Sequence, residues 1–153
     1  MVYKKSIVRP FQKRIFYTTC AVLWLSGMLW LYVEYFAQIQ SEFGPQTNPA
    51  QAELLKVHGV ATMVFLLILG TMLFHIPIGW RQKRNIFSGE SLLVTCGILI
   101  LTGWGLYYVG HEDLRKCMAM VHWILGAFLP FFIIFHIWKI VHQRSKLLKH
   151  QKR

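Results

Sequence analysis

Hydrophobic residues are concentrated in four long blocks, and polar residues fall mainly in the segments between them. The blocks cover residues 15–39, 57–80, 92–109 and 118–141. Each block is about 18 to 25 residues long, the length that an α-helix needs to cross a bilayer. The pattern therefore predicts an all-α integral membrane protein with four transmembrane helices in one domain, residues 15–143. Because the connections are short, we expect an up-down-up-down bundle in which consecutive helices are antiparallel neighbours.

The polar connections carry residues that break or cap helices. The longest connection follows the first block, and we expect it to be irregular because it contains Gly44, Pro45, Asn48 and Pro49. Asn48-Pro49 is expected to start the turn into the second helix. The segment FSGE precedes the third block, where Ser88 or Ser91 is expected to cap the third helix.

The basic residues are distributed asymmetrically around the four blocks. The formal net charge is +11, and 14 of the 17 Lys and Arg residues lie before the first block, between the second and third, or from the end of the fourth onward. Loops rich in Lys and Arg face the cytoplasm, so the basic segments 1–14 and 144–153 predict two cytoplasmic termini. Charge placed this way favours membrane lipid with anionic headgroups as a partner and argues against nucleic acid.

The cysteines and the N-terminus exclude some classes of protein. The three cysteines, Cys20, Cys96 and Cys117, form no CxxC or CxxCH pattern, which excludes covalent c-type haem and a cysteine-rich metal site. We expect Cys20 and Cys96 to be packing residues and Cys117 to lie near the outer face. The first block is expected to be a retained helix, because it is too long for a signal peptide and no cleavage site follows before Glu34.

Four histidines lie within the second and fourth blocks, whose helices are predicted to run in the same direction. His58 and His122 fall near the outer ends, and His75 and His136 near the inner ends. Histidine in hydrocarbon is costly and marks a functional site. His122 and His136 are 14 residues apart, which is two heptads, and His58 and His75 are 17 apart, which is two heptads plus an a-to-d step. Each pair is therefore predicted to face one seam of the bundle.

Paired depths on co-directional helices predict two clamps for a metal-centred cofactor. His75 and His136 at one level, and His58 and His122 at another, can each supply two axial imidazoles to a haem iron. When the inner pair is aligned, the outer pair is out of level by roughly 4–5 Å. A flat haem ring needs space beside the helix backbones, and glycine, which has no side chain, leaves such space. Six glycines lie near the depths of the two histidine pairs: Gly59, Gly70, Gly97, Gly103, Gly105 and Gly126.

Charged and polar residues near the block ends are candidates for supporting roles. Haem propionates need cationic partners, for which Arg81, Arg84 and Lys139 are placed at the inner level and Lys56, Arg115 and Lys116 at the outer level. The same residues also serve as ordinary topology-setting charges. We expect Glu34 to pair with Lys56 or Arg115. His111 is a candidate replacement ligand at the outer face, and His142 and His150 are expected to be solvated.

Four segments carry a resemblance to a known family. LKVHG, FHIPIGWRQKRNIFSGE, LTGWGLYY and VHWILGAFLPFFIIFHIWK, together roughly residues 54–140, resemble the small bacterial di-haem b-type cytochromes of the four-helix cytochrome b superfamily. Relatives of that family are membrane subunits of hydrogenases and formate dehydrogenases. The chain departs from these larger relatives in lacking a fifth helix and a soluble domain.

The resemblance implies a function and a location. It implies two non-covalent haems b, one ligated by His58 with His122 and the other by His75 with His136, in a multi-pass protein of the bacterial cytoplasmic membrane. Electrons would pass between an outer-face redox protein, such as a c-type cytochrome or a dehydrogenase subunit, and a quinone or an inner-face partner.

A different class of protein stays open as the alternative. A haem-free accessory protein, or a proton or metal transporter, would use the histidines for packing or as a pathway. Metal transport usually adds carboxylates or thiolates to histidine, and Glu34 is the one carboxylate inside the blocks. The sequence carries no hydrolytic or nucleotide-binding motif, so any reaction is expected to be redox chemistry at the haems.

Overall fold

The computed structural model describes residues 9–73 and 86–151. Over these residues the chain forms four α-helices and one short β-hairpin: α1 Pro10–Phe36, β1 Ile39–Ser41, β2 Gly44–Gln46, α2 Ala50–Leu73, α3 Ile86–Tyr108 and α4 Glu112–Gln151. Contacts divide the chain into two units, residues 1–75 and 76–153, and each unit contains one helical hairpin. The first hairpin is α1 with α2, and the second hairpin is α3 with α4.

All four helices are long and apolar enough to cross a membrane. The candidate spans are Pro10–Phe36, Ala50–Leu73, Phe87–Tyr108 and Glu112–His142. The buried share of the apolar window ranges from 22% in α1 down to 6% in α4. A water-soluble protein of this size would bury most of these apolar side chains. In a membrane, lipid tails contact them on the surface of the helices. The predictions of a helical fold and of four helices long and apolar enough to cross a membrane are confirmed.

The helices differ from the apolar blocks mainly at their ends. α1 begins at Pro10 and α4 extends over Glu112–Gln151, beyond the block at 118–141 on both sides. Hydrophobicity marks the membrane-spanning part, but backbone hydrogen bonding continues into polar flanks. At the start of α1, proline occupies the first helical position and the Arg9 N–H donates to Gln12 Oε1 at 3.0 Å. The predicted end of the second block, residues 74–80, lies outside the described residues.

The helices of the first hairpin are antiparallel. At one end Gln12 Nε2 donates to Thr71 Oγ1 at 3.4 Å, and at the other Gln51 Nε2 donates to Glu34 Oε2. Between these ends a small apolar core includes Phe16 and Phe65, whose ring centroids are 5.8 Å apart.

The connection between α1 and α2 is more regular than the sequence predicts. β1 and β2 pair antiparallel, with Ser41 opposite Gly44, and Gly44 has φ +100°, a left-handed conformation that favours glycine. The expectation of an irregular loop is therefore wrong for these residues. Asn48 starts the turn into α2 as predicted: its Oδ1 accepts from Ala50 N at 3.0 Å, and its Nδ2 donates to the Ala37 carbonyl at 2.9 Å.

The helices of the second hairpin are also antiparallel. A Cβ at Gly105 would meet Met118 near one end, one at Gly126 would lie 3.9 Å from Leu99 farther along, and Lys139 Nζ lies 5.8 Å from the Phe87 ring centroid at the other end. α4 continues through Pro130. The expectation that Ser88 or Ser91 caps α3 is wrong, because α3 already begins at Ile86 and both serines lie inside the helix.

Candidate metal-ligating histidine sites

His58 on α2 is held by a serine on α1. Ser26 Oγ lies 2.9 Å from His58 Nδ1, which is hydrogen-bonding distance. Ser26 is only 4% exposed, so its hydroxyl is a buried polar group that needs a partner. The half-buried imidazole therefore has one ring nitrogen engaged by the neighbouring helix of its own hairpin.

His122 and His136 on α4 are held by hydroxyl groups on α3 in the same way. Thr102 Oγ1 lies 3.0 Å from His122 Nδ1, and Ser88 Oγ lies 3.1 Å from His136 Nδ1. The two hydroxyl residues are 14 positions apart on α3, and the two histidines are 14 apart on α4. The equal intervals place both histidines of α4 on the side that contacts α3, as expected for a two-heptad spacing. The two sites are separated by about 21 Å along the helix axis.

Each imidazole also packs against the glycine that follows its hydroxyl partner. A Cβ built on Gly27 would lie 3.5 Å from His58 Cε1, and one on Gly89 would lie 3.5 Å from His136 Cε1. The contact is tighter at Gly103, where a Cβ would lie 3.1 Å from His122 Cε1. The glycines thus let an imidazole approach a helix close enough to reach the adjacent hydroxyl oxygen.

At two of the sites the hydroxyl also lies within hydrogen-bonding distance of a backbone carbonyl, which bears on the imidazole tautomer. A hydroxyl group has one proton to donate. Ser26 Oγ donates to the Leu23 carbonyl at 3.1 Å, and Thr102 Oγ1 donates to the Ile98 carbonyl at 2.7 Å. With the hydroxyl proton on the carbonyl, each oxygen accepts from the facing ring, an arrangement that corresponds to the Nδ1–H tautomer of His58 and His122. In that neutral tautomer the lone pair lies on Nε2, which is the form in which histidine binds a metal ion through Nε2.

The fourth predicted ligand and two predicted cationic partners lie outside the described residues. These are His75, Arg81 and Arg84. Their roles therefore stay predictions.

The glycines predicted near the histidines differ in whether another side chain lies close to the position of a Cβ atom. Gly103 and Gly105 both lie at the α3–α4 contact, but a Cβ on Gly105 would collide with Met118 Sδ and not with a histidine. Gly126 approaches Leu99 at 3.9 Å. Among the described residues, no atom comes within 4 Å of a Cβ built on the other three: Gly59, Gly70 and Gly97.

Three of the described cationic candidates, Lys139, Lys56 and Lys116, have side-chain partners on their own or the neighbouring helix. Lys139 Nζ lies 4.9 Å from the Phe135 ring centroid and also faces Phe87. Lys56 pairs with Glu53 at 2.7 Å and Lys116 with Glu112 at 2.8 Å. The expected pairing of Glu34 with Lys56 is wrong, because Glu34 accepts from Gln51 instead. Lys56 is drawn to Glu53 because residues three apart on a helix are neighbours.

Two further histidines have structural contacts. His111 precedes α4 and its Nδ1 accepts from Leu114 N at 3.4 Å, while Arg115 N donates to its carbonyl at 3.0 Å. These contacts give His111 the geometry of a helix cap, not of a buried ligand. The His142 ring stacks on Trp138 with centroids 5.5 Å apart. Within the described ranges no three His, Cys, Asp or Glu side chains converge on one point.

Sequence reasoning identified Gly103 but missed the three hydroxyl partners as well as Gly27 and Gly89, although a signal for them exists. Ser26-Gly27, Ser88-Gly89 and Thr102-Gly103 are the three Ser/Thr-Gly dipeptides of the chain. Each of them contacts a different intramembrane histidine. The repeated dipeptide and the matching interval of 14 on α3 and α4 mark these residues as candidates, but the register that pairs them with the histidines comes from the packing of the helices.

The chain was also compared with known proteins. Comparisons with protein-family models, with curated proteins and with solved structures found no match. The function is therefore inferred from the residues and their geometry.

Proposed function

We propose that this chain is a membrane b-type cytochrome that holds two haems and transfers electrons across the membrane. The partners would be an outer-face redox protein and either a quinone or an inner-face protein. The chain would be a multi-pass protein of the bacterial cytoplasmic membrane, with up-down-up-down helices and both termini in the cytoplasm. It would act alone or as the membrane subunit of a larger oxidoreductase.

One observation carries the proposal. All three described intramembrane histidines have Nδ1 hydrogen-bonded to a hydroxyl on the neighbouring helix. At His58 and His122 the same hydroxyl also donates to a backbone carbonyl, an arrangement that favours a ring proton on Nδ1 and a lone pair on Nε2. A haem iron takes such a neutral imidazole as an axial ligand. The donor set present therefore fits a bis-histidine haem.

The chain's own residues would bind and orient the cofactor. The four proposed ligands are paired as the sequence predicts, His58 with His122 and His75 with His136. Ser26, Ser88 and Thr102 would hold three of the rings, and the apolar helices would keep water from the sites and tune the potential. The bound haem supplies reversible one-electron transfer. Two sites at two depths, about 21 Å apart on α4, would carry the electron across the bilayer.

Haem content is the direct test. The full chain is expressed with haem supplementation and purified in detergent, and a reduced-minus-oxidised spectrum is recorded with haem quantitation. The expected result is a b-type spectrum with two haems per chain. Absence of haem after supplementation would overturn the proposal and favour a haem-free accessory or transport protein.

Histidine variants test which residues ligate. His136→Ala and His75→Ala are each expected to remove the inner haem and leave one haem per chain. His111→Ala and His142→Ala are the matched controls, because one histidine caps α4 and the other stacks on Trp138. The controls should retain two haems. Unchanged haem content in the His136→Ala and His75→Ala proteins would show that the ligand assignment is wrong.

A further inference from the structure

We propose that Ser26 and Thr102 are positioning residues that fix the tautomer of His58 and His122, and that these two residues and Ser88 set how strongly Nε2 of the facing imidazole donates to a metal. The tautomer part of this inference concerns the chain alone. The part about donation rests on the proposed function.

The hydroxyl groups act through a relay of two hydrogen bonds. At Thr102 the hydroxyl donates to the Ile98 carbonyl at 2.7 Å, and its oxygen accepts from His122 Nδ1 at 3.0 Å. At Ser26 the same relay joins the Leu23 carbonyl to His58. Hydrogen bonds in series polarise one another, so an oxygen that donates to a carbonyl is a better acceptor. The ring N–H is therefore held firmly on Nδ1.

The choice of a hydroxyl has a chemical consequence for a bound metal. Accepting a proton from Nδ1–H raises the basicity of Nε2 and stabilises the more positive metal state. A carboxylate in the same place would pull the proton further and push the imidazole toward its anion. A hydroxyl is neutral and pulls less, so it orients the ligand while leaving it a neutral imidazole. Loss of the hydroxyl is expected to raise the reduction potential of that site.

The glycines complete the positioning. Gly27, Gly89 and Gly103 each follow the hydroxyl residue, and each approaches Cε1, the ring atom between the two nitrogens. The imidazole is thus held by a hydrogen bond at Nδ1 and a steric contact at Cε1. Two contacts on one edge of the ring fix its orientation.

Thr102→Val tests the proposal on the haem-loaded protein. Valine keeps the size of threonine and removes the hydroxyl. Thr95→Val is the matched control, because Thr95 is buried in the same helix and, within the described part of the chain, its hydroxyl donates only to the Ser91 carbonyl at 2.8 Å. Thr102→Val is expected to raise the midpoint potential of one haem or to weaken its binding roughly 10–100-fold. Thr102→Ser should restore both quantities. Potential and haem affinity equal to those of Thr95→Val would overturn the proposal.

A second measurement decides the matter if the chain purifies without haem. The full chain is labelled with ¹⁵N at histidine, and the ring-nitrogen shifts identify the tautomer of His122. The expected result is a proton on Nδ1, with a move toward Nε2–H in Thr102→Val and none in Thr95→Val. An unchanged tautomer in Thr102→Val would overturn the positioning role. The haem content of the purified protein tests the proposed function independently of this tautomer measurement.

Discussion

At the residue scale, the histidine sites differ in how closely glycine approaches the ring. A Cβ at position 103 would lie 3.1 Å from His122 Cε1. A Cβ at position 27 or 89 would lie 3.5 Å from Cε1 of His58 or His136, respectively. The longer distance is ordinary van der Waals contact. The shorter one requires the ring to move, and the ring is tied at Nδ1 to Thr102. The three glycines should therefore respond differently to the same substitution.

The first prediction compares Gly103→Ala with Gly27→Ala. Alanine in a helix interior is favoured over glycine by about 0.5–1 kcal/mol, so Gly27→Ala should leave stability unchanged or raise it. Gly103→Ala should lower stability, because displacing His122 weakens its bond to Thr102. Thermal unfolding in detergent measures both variants, with Gly89→Ala as a second tolerant site. Equal melting temperatures for Gly103→Ala and Gly27→Ala would show that the ring at His122 is not held as described.

The histidines could be selected from the sequence, but their partners could not be located by the same reasoning. Placing a histidine in the hydrocarbon core of a membrane is energetically costly, which marks His58, His122 and His136 as candidates. The 14-residue spacing on α4 predicts that His122 and His136 lie on the same side of that helix. Spacing on one helix gives no register against another helix. The sequence therefore suggests a capping role for Ser88, whereas its hydroxyl lies 3.1 Å from His136 Nδ1. The alignment of residues on α3 with residues on α4 depends on how the two helices pack, which the structure shows.

At the element scale, the apolar blocks locate the membrane helices, but polar side chains determine how their ends are joined. The Asn48 side chain makes hydrogen bonds at both ends of the first connection. It donates to the Ala37 carbonyl after α1 and accepts from the Ala50 N–H at the start of α2. The β-hairpin between them could not be predicted from hydropathy, because three-residue strands give too short a pattern. Gly44 at φ +100° is the local signal that permits its turn.

The second prediction is that Asn48→Ala loosens the first hairpin at its connection. Loss of a capping side chain costs about 1 kcal/mol, and here the bond to Ala37 is lost as well. Limited proteolysis between residues 37 and 50 should become faster, and the melting temperature should fall. Thr47→Ala is the matched control, since Thr47 is the exposed neighbour. If Asn48→Ala and Thr47→Ala were cut at the same rate, Asn48 would not hold the connection.

At the scale of the whole molecule, the two hairpins use the same arrangement. In each, the second helix carries a histidine near its start, and the first helix presents a hydroxyl followed by glycine. The basic segments at both ends of the chain predict that the starts of α2 and α4 face the outside. Orientation in the membrane can be tested directly because the chain has only three cysteines.

The third prediction concerns that orientation. In a Cys117→Ser background, Cys20 and Cys96 are buried and should not react with a thiol reagent that cannot cross membranes. Glu42→Cys, in the exposed turn between β1 and β2, should be labelled in intact cells. Ser145→Cys, on the exposed C-terminal part of α4, should be labelled only after permeabilisation. Labelling of Ser145→Cys in intact cells would contradict a cytoplasmic C-terminus.

The last prediction tests whether His58 and His122 ligate the same iron, as the proposed function requires. In a His136→Ala background only the outer haem, proposed between His58 and His122, should remain. Ser26→Ala acts through His58 and Thr102→Val acts through His122, so each should raise the midpoint potential of that single haem. Ser88→Ala should have no effect there, because its partner His136 has been removed. Redox titration of the three variants against their parent measures the shifts. If only one of Ser26→Ala and Thr102→Val moved the potential, His58 and His122 would not ligate the same iron.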